Sequence, residues 1–231
     1  MFRKTCRAWL LAAAAASIPL SIAASGELGF SRSVSPRLIQ HYGRLFGPGA
    51  GPRLLGWQNF VRAADIRGVS QGGGVSRGDL LGPVNGYFNR IPAVTDQAHW
   101  GVEDYWATPA ETLASNGGDC EDYAIAKYFT LKELGVPIAR LRLVYARTTR
   151  SRAAHMVLAY YPEPQADPLI LDNLQGSIEP ASERSDLIPV YSFNDEDLFF
   201  PQQGAPTVRL SATSNRKWKD LIDKLEREMA L

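Results

Sequence analysis

Apolar residues recur at Leu54, Trp57, Phe60, Val61 and Ala64, the three-to-four spacing that lines one face of a helix. Pro52 suits a first helical position, where its missing N–H costs nothing. The pattern therefore predicts a helix from Pro52 to about Ile66. A shorter helix is expected over residues 80–88, interrupted by Gly82 and Pro83, after a glycine-rich loop over 68–78. Pro109 followed by Glu111 reads as the first turn of another short helix. Farther on the period changes. Residues 141–147, 155–161, 169–173 and 189–194 are rich in β-branched and aromatic residues and are bounded by Pro, Gly, Asn or Ser, so they read as strands. Their short connections favour an antiparallel sheet packed on a helix, an α+β arrangement. Helical spacing returns at Trp218, Leu221, Ile222, Leu225 and Met229, with Ser214 as the expected cap of an amphipathic surface helix. Residues 26–51, rich in Ser, Gly and Pro, read as an irregular lead-in.

The stretch at 116–135 carries the candidate chemistry. Gly117 and Gly118 permit a close turn, Asp119 is a good N-cap, and helix formers run from Cys120 to about Leu134, where Gly135 and Pro137 end the helix. Cys120 thus lies in a first helical turn, where unpaired backbone N–H groups and the helix dipole favour a thiolate. The other reading is a small buried hydrophobe, against which the polar neighbours Glu121 and Asp122 argue.

Charge and cysteine usage narrow the picture. Arg3, Lys4 and Arg7, an alanine-rich apolar run and small residues at 21–25 form a secretory signal peptide over residues 1–25, which implies a periplasmic protein. Its removal leaves 22 basic against 24 acidic residues, a net charge of about −2, and no basic footprint for nucleic acid. The remaining 52–231 is read as a single domain after the lead-in. Cys6 leaves with the signal, so Cys120 is unpaired in a compartment that favours disulfides, which marks it as a thiol kept for reactivity.

A nucleophilic cysteine needs a base. Of the three histidines, His41 sits in the lead-in and His99 in an aromatic loop, whereas His155 opens an alternating strand and is the best placed. Asp172, at the end of the following strand, can accept one imidazole N–H and leave the other ring nitrogen for Cys120.

Four segments together resemble the bacterial transglutaminase-like cysteine proteinases. They are Gly-Asp-Cys-Glu-Asp-Tyr-Ala around Cys120, Ala-His-Met-Val-Leu around His155, Leu-Asp-Asn at Asp172, and Pro-Val-Tyr-Ser-Phe-Asn at 189–194. The resemblance covers about residues 52–199. It implies a papain-like, transglutaminase-like core in which Cys120 attacks a peptide carbonyl, His155 shuttles the proton and Asp172 orients His155. The Cys120 backbone N–H would serve the oxyanion, with Trp106 or a nearby backbone group as second donor. It also implies calcium beside the nucleophile, held by Asp119, Glu121 and Asp122. The residues themselves leave two readings of that acidic cluster: carboxylates that cap the helix and complement its dipole, or ligands of a hard cation that cancels their effect on the thiol. The implied substrate is a large surface adhesin cut near its N-terminus at a paired-alanine site. The implied partner is an inner-membrane, cyclic-di-GMP-responsive receptor that sequesters the protease. Competing readings are an acyltransferase on the same three residues, a non-catalytic binding module, and a calcium-dependent structural protein.

Overall fold

The computed structural model describes residues 34–70, 77–200 and 208–231. The expected signal peptide and the Gly72 to Gly74 run lie outside the described residues.

The chain begins helical. Helices α1 (Pro36–Phe46) and α2 (Ala50–Ser70) precede α3 (Leu81–Phe88), α4 (Asp96–His99), α5 (Pro109–Ser115) and α6 (Cys120–Glu133). Then come strands β1 (Leu141–Thr148), β2 (Ala154–Tyr160), β3 (Leu169–Leu171), β4 (Glu179–Pro180), β5 (Leu187–Phe193), β6 (Asp197–Phe200) and β7 (Val208–Ser211), and helix α7 (Arg216–Met229). The strands form one sheet in the order β4-β3-β2-β1-β5-β6-β7, every neighbouring pair antiparallel. The expected α+β class and the helix-on-sheet packing are what the structure contains.

Helix α6 is buried on nearly every side, its polar Asp122, Lys127 and Thr130 included. Residues 122–131 are all buried, which requires neighbours all round; β2 supplies one side, α3 and α5 the others. Alternation along β2 sends Met156, Leu158 and Tyr160 into the core with α6, while Val157 and Ala159 join Ile170 in a second, smaller apolar cluster on the other face. Trp57 of α2 reaches into the main core and donates its indole N–H to Thr130 Oγ1 at 3.0 Å, so a fully buried polar atom is satisfied.

Several expectations are corrected. The lead-in is not irregular throughout: Ser35 accepts the Leu38 N–H at 3.0 Å and starts α1, which buries Leu38 and Tyr42 against the rest. Leu38, Ile39, Tyr42, Leu45 and Phe46 do recur at helical spacing there, a signal masked by the Ser, Gly and Pro around it. Helix α2 starts at Ala50 and runs to Ser70, beyond the expected Ile66. Strands β4, β6 and β7 were not anticipated, being two to four residues long. The strand over 169–173 stops at Leu171, which frees Asp172 from the ladder. Asn215, not Ser214, caps α7 by accepting the Trp218 N–H at 3.3 Å. Among the described residues no helix is long and apolar enough to cross a membrane.

Candidate active site

Cys120 is the first residue of α6, and the backbone leading to it needs glycine for space. A Cβ on Gly117 would sit 2.9 Å from the His99 ring, and one on Gly118 would sit 2.8 Å from the Asp122 side chain. Those approaches bring the chain over the helix start, where the Asp119 N–H donates to Asp122 Oδ2 at 3.2 Å. The Ala107 N–H donates to Asp122 Oδ1 at 2.8 Å, so one buried carboxylate ties the preceding loop to α6.

Cys120 opens onto a cleft of about 540 Å³, shared with Trp106, Glu121, Tyr145, His155 and Tyr191. Tyr145 of β1 and Tyr191 of β5 stack at 5.1 Å and form one wall. Trp106 is buried against Phe193, with rings 5.7 Å apart.

His155, near the start of β2, is buried, and its Nε2 lies 2.8 Å from Asp172 Oδ1. That bond leaves Nδ1 as the ring nitrogen for proton transfer. Asp172 is itself fully committed: Oδ1 also accepts the Leu174 N–H at 3.0 Å, Oδ2 accepts Arg184 Nη2 at 2.6 Å, and its backbone carbonyl accepts Asn89 Nδ2 at 2.8 Å. Burial alone pushes the Asp172 carboxyl up, but His155, Leu174 and Arg184 together hold it well below the usual carboxylate range. An ionised carboxylate here can hold one imidazole orientation and stabilise an imidazolium. Of the other histidines, His41 is exposed on α1, and His99 packs edge-on against Trp100 at 4.6 Å.

Arg184 escaped the sequence reading. It lies in a Ser-Glu-Arg-Ser-Asp run that looks like a solvated loop, yet it is only 5% exposed. Its Nε and Nη2 each donate to Asp186 at 2.8 Å, while Nη2 also holds Asp172. No signal in the chain separates this arginine from a surface one.

The helix start does not win the electrostatic contest at Cys120. Burial and then Glu121 push the thiol up, against a smaller pull from the Met156 N–H. The thiol lies 2.9 Å from Glu121 Oε2, a contact that favours the protonated form. Around it the acids crowd: oxygens of Asp96, Asp104 and Glu121 lie within 4.8 Å of one another, as do those of Asp96, Asp119 and Asp122. Burial, then Glu121, pushes the Asp119 carboxyl up to about 9. Asp96 and Asp122 are raised too, by burial first. Asp96 Oδ1 and Asp119 Oδ1 are buried without a hydrogen-bond partner among the described residues. Of the three expected ligands, Asp119 lies with Cys120 and Glu121 in one group of that reach and with Asp96 and Asp122 in another, but no such group among the described residues holds Asp119, Glu121 and Asp122 together, because the Ala107 and Asp119 N–H groups take both Asp122 oxygens. Neither Asp104 nor Asp96 was among the expected ligands, and Asp96 reaches the cluster only through the fold.

Lys127 lies two turns beyond Cys120 in α6, fully buried, with no hydrogen-bond partner for Nζ among the described residues. Tyr123 presents its ring 5.8 Å away. Burial pulls the Lys127 ammonium down to about 7, with Asp172 acting in the opposite sense.

Comparison with known proteins places these features. Residues 75–187 match the bacterial transglutaminase-like cysteine proteinase family. No curated protein matches by sequence. Among solved structures, Legionella pneumophila LapG after EGTA treatment superposes with a TM-score of 0.69 at 36% identity, over 83% of this chain and 98% of that one. Calcium-bound Legionella pneumophila LapG gives 0.66 at 37% identity, over 83% and 99% of the two chains. A helix-start cysteine and a strand histidine on one cleft, with near-complete coverage of a protein sharing over a third of its residues, lead to one conclusion: this chain belongs to the bacterial transglutaminase-like cysteine proteinases.

Proposed function

We propose that this protein is an exported, calcium-dependent cysteine endopeptidase that cuts the N-terminal region of a large surface adhesin, releases it from the cell and so promotes biofilm dispersal. The observation that carries the catalytic part is the line Cys120, His155, Asp172: a helix-start thiol on the same cleft as an imidazole whose Nε2 is taken by an ionised, arginine-held carboxylate. In this reading His155 Nδ1 accepts the thiol proton as Sγ attacks the peptide carbonyl carbon. Asp172 stabilises the imidazolium, and the Cys120 N–H at the helix start stabilises the oxyanion. The imidazolium then protonates the departing amine, leaving a thioester. A water molecule, deprotonated by His155, attacks the thioester and frees the acid product and Cys120.

The acidic cluster fits a hard divalent cation. Its buried, unpartnered Asp96 Oδ1 and Asp119 Oδ1 and its mutual repulsion are the marks of carboxylates arranged for a positive charge. Asp96, Asp119 and Glu121 would hold calcium, with Asp104 and Asp122 beside them. Bound there, the ion supplies the positive charge that offsets those acids. Glu121 accepts the thiol's hydrogen bond, so a cation that engaged this carboxylate would weaken the contact that favours the protonated thiol. That LapG has been solved both calcium-bound and EGTA-treated supports the assignment.

The test is incubation of the mature protein with the N-terminal fragment of a large surface adhesin, with EGTA and then with calcium or magnesium, read by mass spectrometry. Cleavage that stops with EGTA and returns better with calcium is expected; cleavage by verified metal-free protein at full rate refutes the calcium reading. Amine-linked products in place of hydrolysed ends would identify an acyltransferase instead. Export through a signal over residues 1–25, and restraint by an inner-membrane receptor that responds to cyclic-di-GMP, complete the proposal. Intact mass of the exported protein checks the first and co-purification with membranes the second.

A further inference from the structure

Helix α7 reaches the acidic cluster through one side chain. Lys217 pairs with Asp104 Oδ1, and its Nζ also donates to the Asp104 backbone carbonyl at 3.2 Å. Asp104 is one of three carboxylates, with Asp96 and Glu121, whose oxygens lie within 4.8 Å of one another. The ammonium therefore stands on a group of acids that a divalent cation would also seek. Its charge reaches Asp96 as well: burial pushes that carboxyl up, and the Tyr105 N–H and Lys217 pull it back. Lys217 also lines the cleft at Cys120, the single lysine or arginine to do so among the described residues.

The helix itself gives no reason for a lysine there. Lys217 is the second residue of α7, where the dipole disfavours a cation, and the first turn holds no acid. Trp218 beside it is buried in the main core and Asn215 caps the helix, so the backbone that carries Lys217 is fixed. The pair it makes is open to water, with the Lys217 and Asp104 side chains 42% and 52% exposed, and ion pairs of that kind hold weakly. A divalent ion gripped by several carboxylates at once displaces a single ammonium from one of them. We propose that Lys217 is a built-in competitor of the metal: it neutralises Asp104 while the cluster lacks a cation, gives that carboxylate up when calcium binds, and so sets how much calcium the protein needs. The inference rests on the calcium reading of the acidic cluster and adds to it the residue that opposes binding.

The experiment is calorimetric titration of the mature protein with calcium at low ionic strength, in the parent, Lys217→Met, and Lys219→Met, which takes the same charge from an exposed position on the same helix. Lys217→Met should bind calcium about threefold to tenfold more tightly than the parent. Lys219→Met should change the affinity by less than about twofold, since water and salt screen it. In an Asp104→Asn background most of the gain from Lys217→Met should vanish, because the partner it competes for is gone. If Lys217→Met fails to fold, acetylation of the parent protein followed by peptide mass spectrometry decides: calcium should speed modification of Lys217 relative to Lys219, and an unchanged ratio would overturn the proposal. Calcium affinity unchanged or weakened in Lys217→Met, an equal gain in Lys219→Met, or an undiminished gain beside Asp104→Asn would each overturn it while leaving the calcium reading intact. Absence of calcium binding in both the parent and Lys217→Met would overturn the calcium reading and this inference with it.

Discussion

Replacing Lys127 with Met should stabilise this protein, and by an amount that depends on pH. The side chains are close in length, so the core keeps its volume, and what is lost is a charge that burial disfavours. Lys127 is fully buried, and its ammonium titrates at about 7 in the fold against 10.5 in a free chain. Between those values the unfolded chain binds the proton and the folded one releases it, so stability contributed by this site rises with pH and is lowest below about 7. A tenfold change in how tightly the amine holds its proton is worth about 1.4 kcal/mol. The Met variant should therefore gain on the order of 4 kcal/mol at neutral pH, and the gain should shrink by about 1.4 kcal/mol for each step of one in pH, up to about pH 10. Urea unfolding of parent and variant at pH 7, 8 and 9, under matched salt and calcium, measures it. A gain that does not change with pH, or a loss at neutral pH, would refute the reasoning and mean that Lys127 finds a compensating partner. Turnover measured on the same samples reports whether the charge also serves Asp172, the group that opposes its depressed value.

Three further outcomes follow from the site. Cys120→Ala should fold with an unchanged unfolding midpoint yet lose cleavage by orders of magnitude, and His155→Ala should be similarly severe; wild-type turnover in either would remove that residue from the chemistry. Arg184→Met leaves the buried Asp172 without its cation and should cost about 3–5 kcal/mol in denaturant unfolding, while lowering kcat more than KM; Arg184→Lys should recover part of the stability. Asp96→Asn and Asp119→Asn should weaken calcium binding in calorimetry, yet be at least as stable as the parent in EGTA because each removes a carboxyl whose ionisation the fold opposes, by burial first; unaltered calcium affinity would place the ion elsewhere.

Local pattern was enough for part of this protein. Leu54 to Ala64, Trp218 to Met229 and the strand runs announce themselves because a helix or strand that buries one face must repeat apolar residues at its own period. The Cys120 helix was legible from Gly117, Gly118 and Asp119, and His155 and Asp172 from their places at strand ends. Strands β4, β6 and β7 were not, since two to four residues are too few to show a period; helix α1 was missed although Leu38, Ile39, Tyr42, Leu45 and Phe46 carry its period, because the surrounding Ser, Gly and Pro read as a loop. Arg184 and Asp96 show the limit most plainly. Arg184 sits in a polar loop and Asp96 opens the one-turn helix α4, both polar places that read as surface, and both are buried because segments distant in sequence fold over them, Asp172 against Arg184 and Glu121 against Asp96. The state of the Cys120 thiol was decided the same way. Its place at a helix start was written in the sequence, but the burial and the Glu121 contact that outweigh the helix dipole exist only once the cleft has closed around it, because charge interactions depend on distance and dielectric, and the chain order specifies neither.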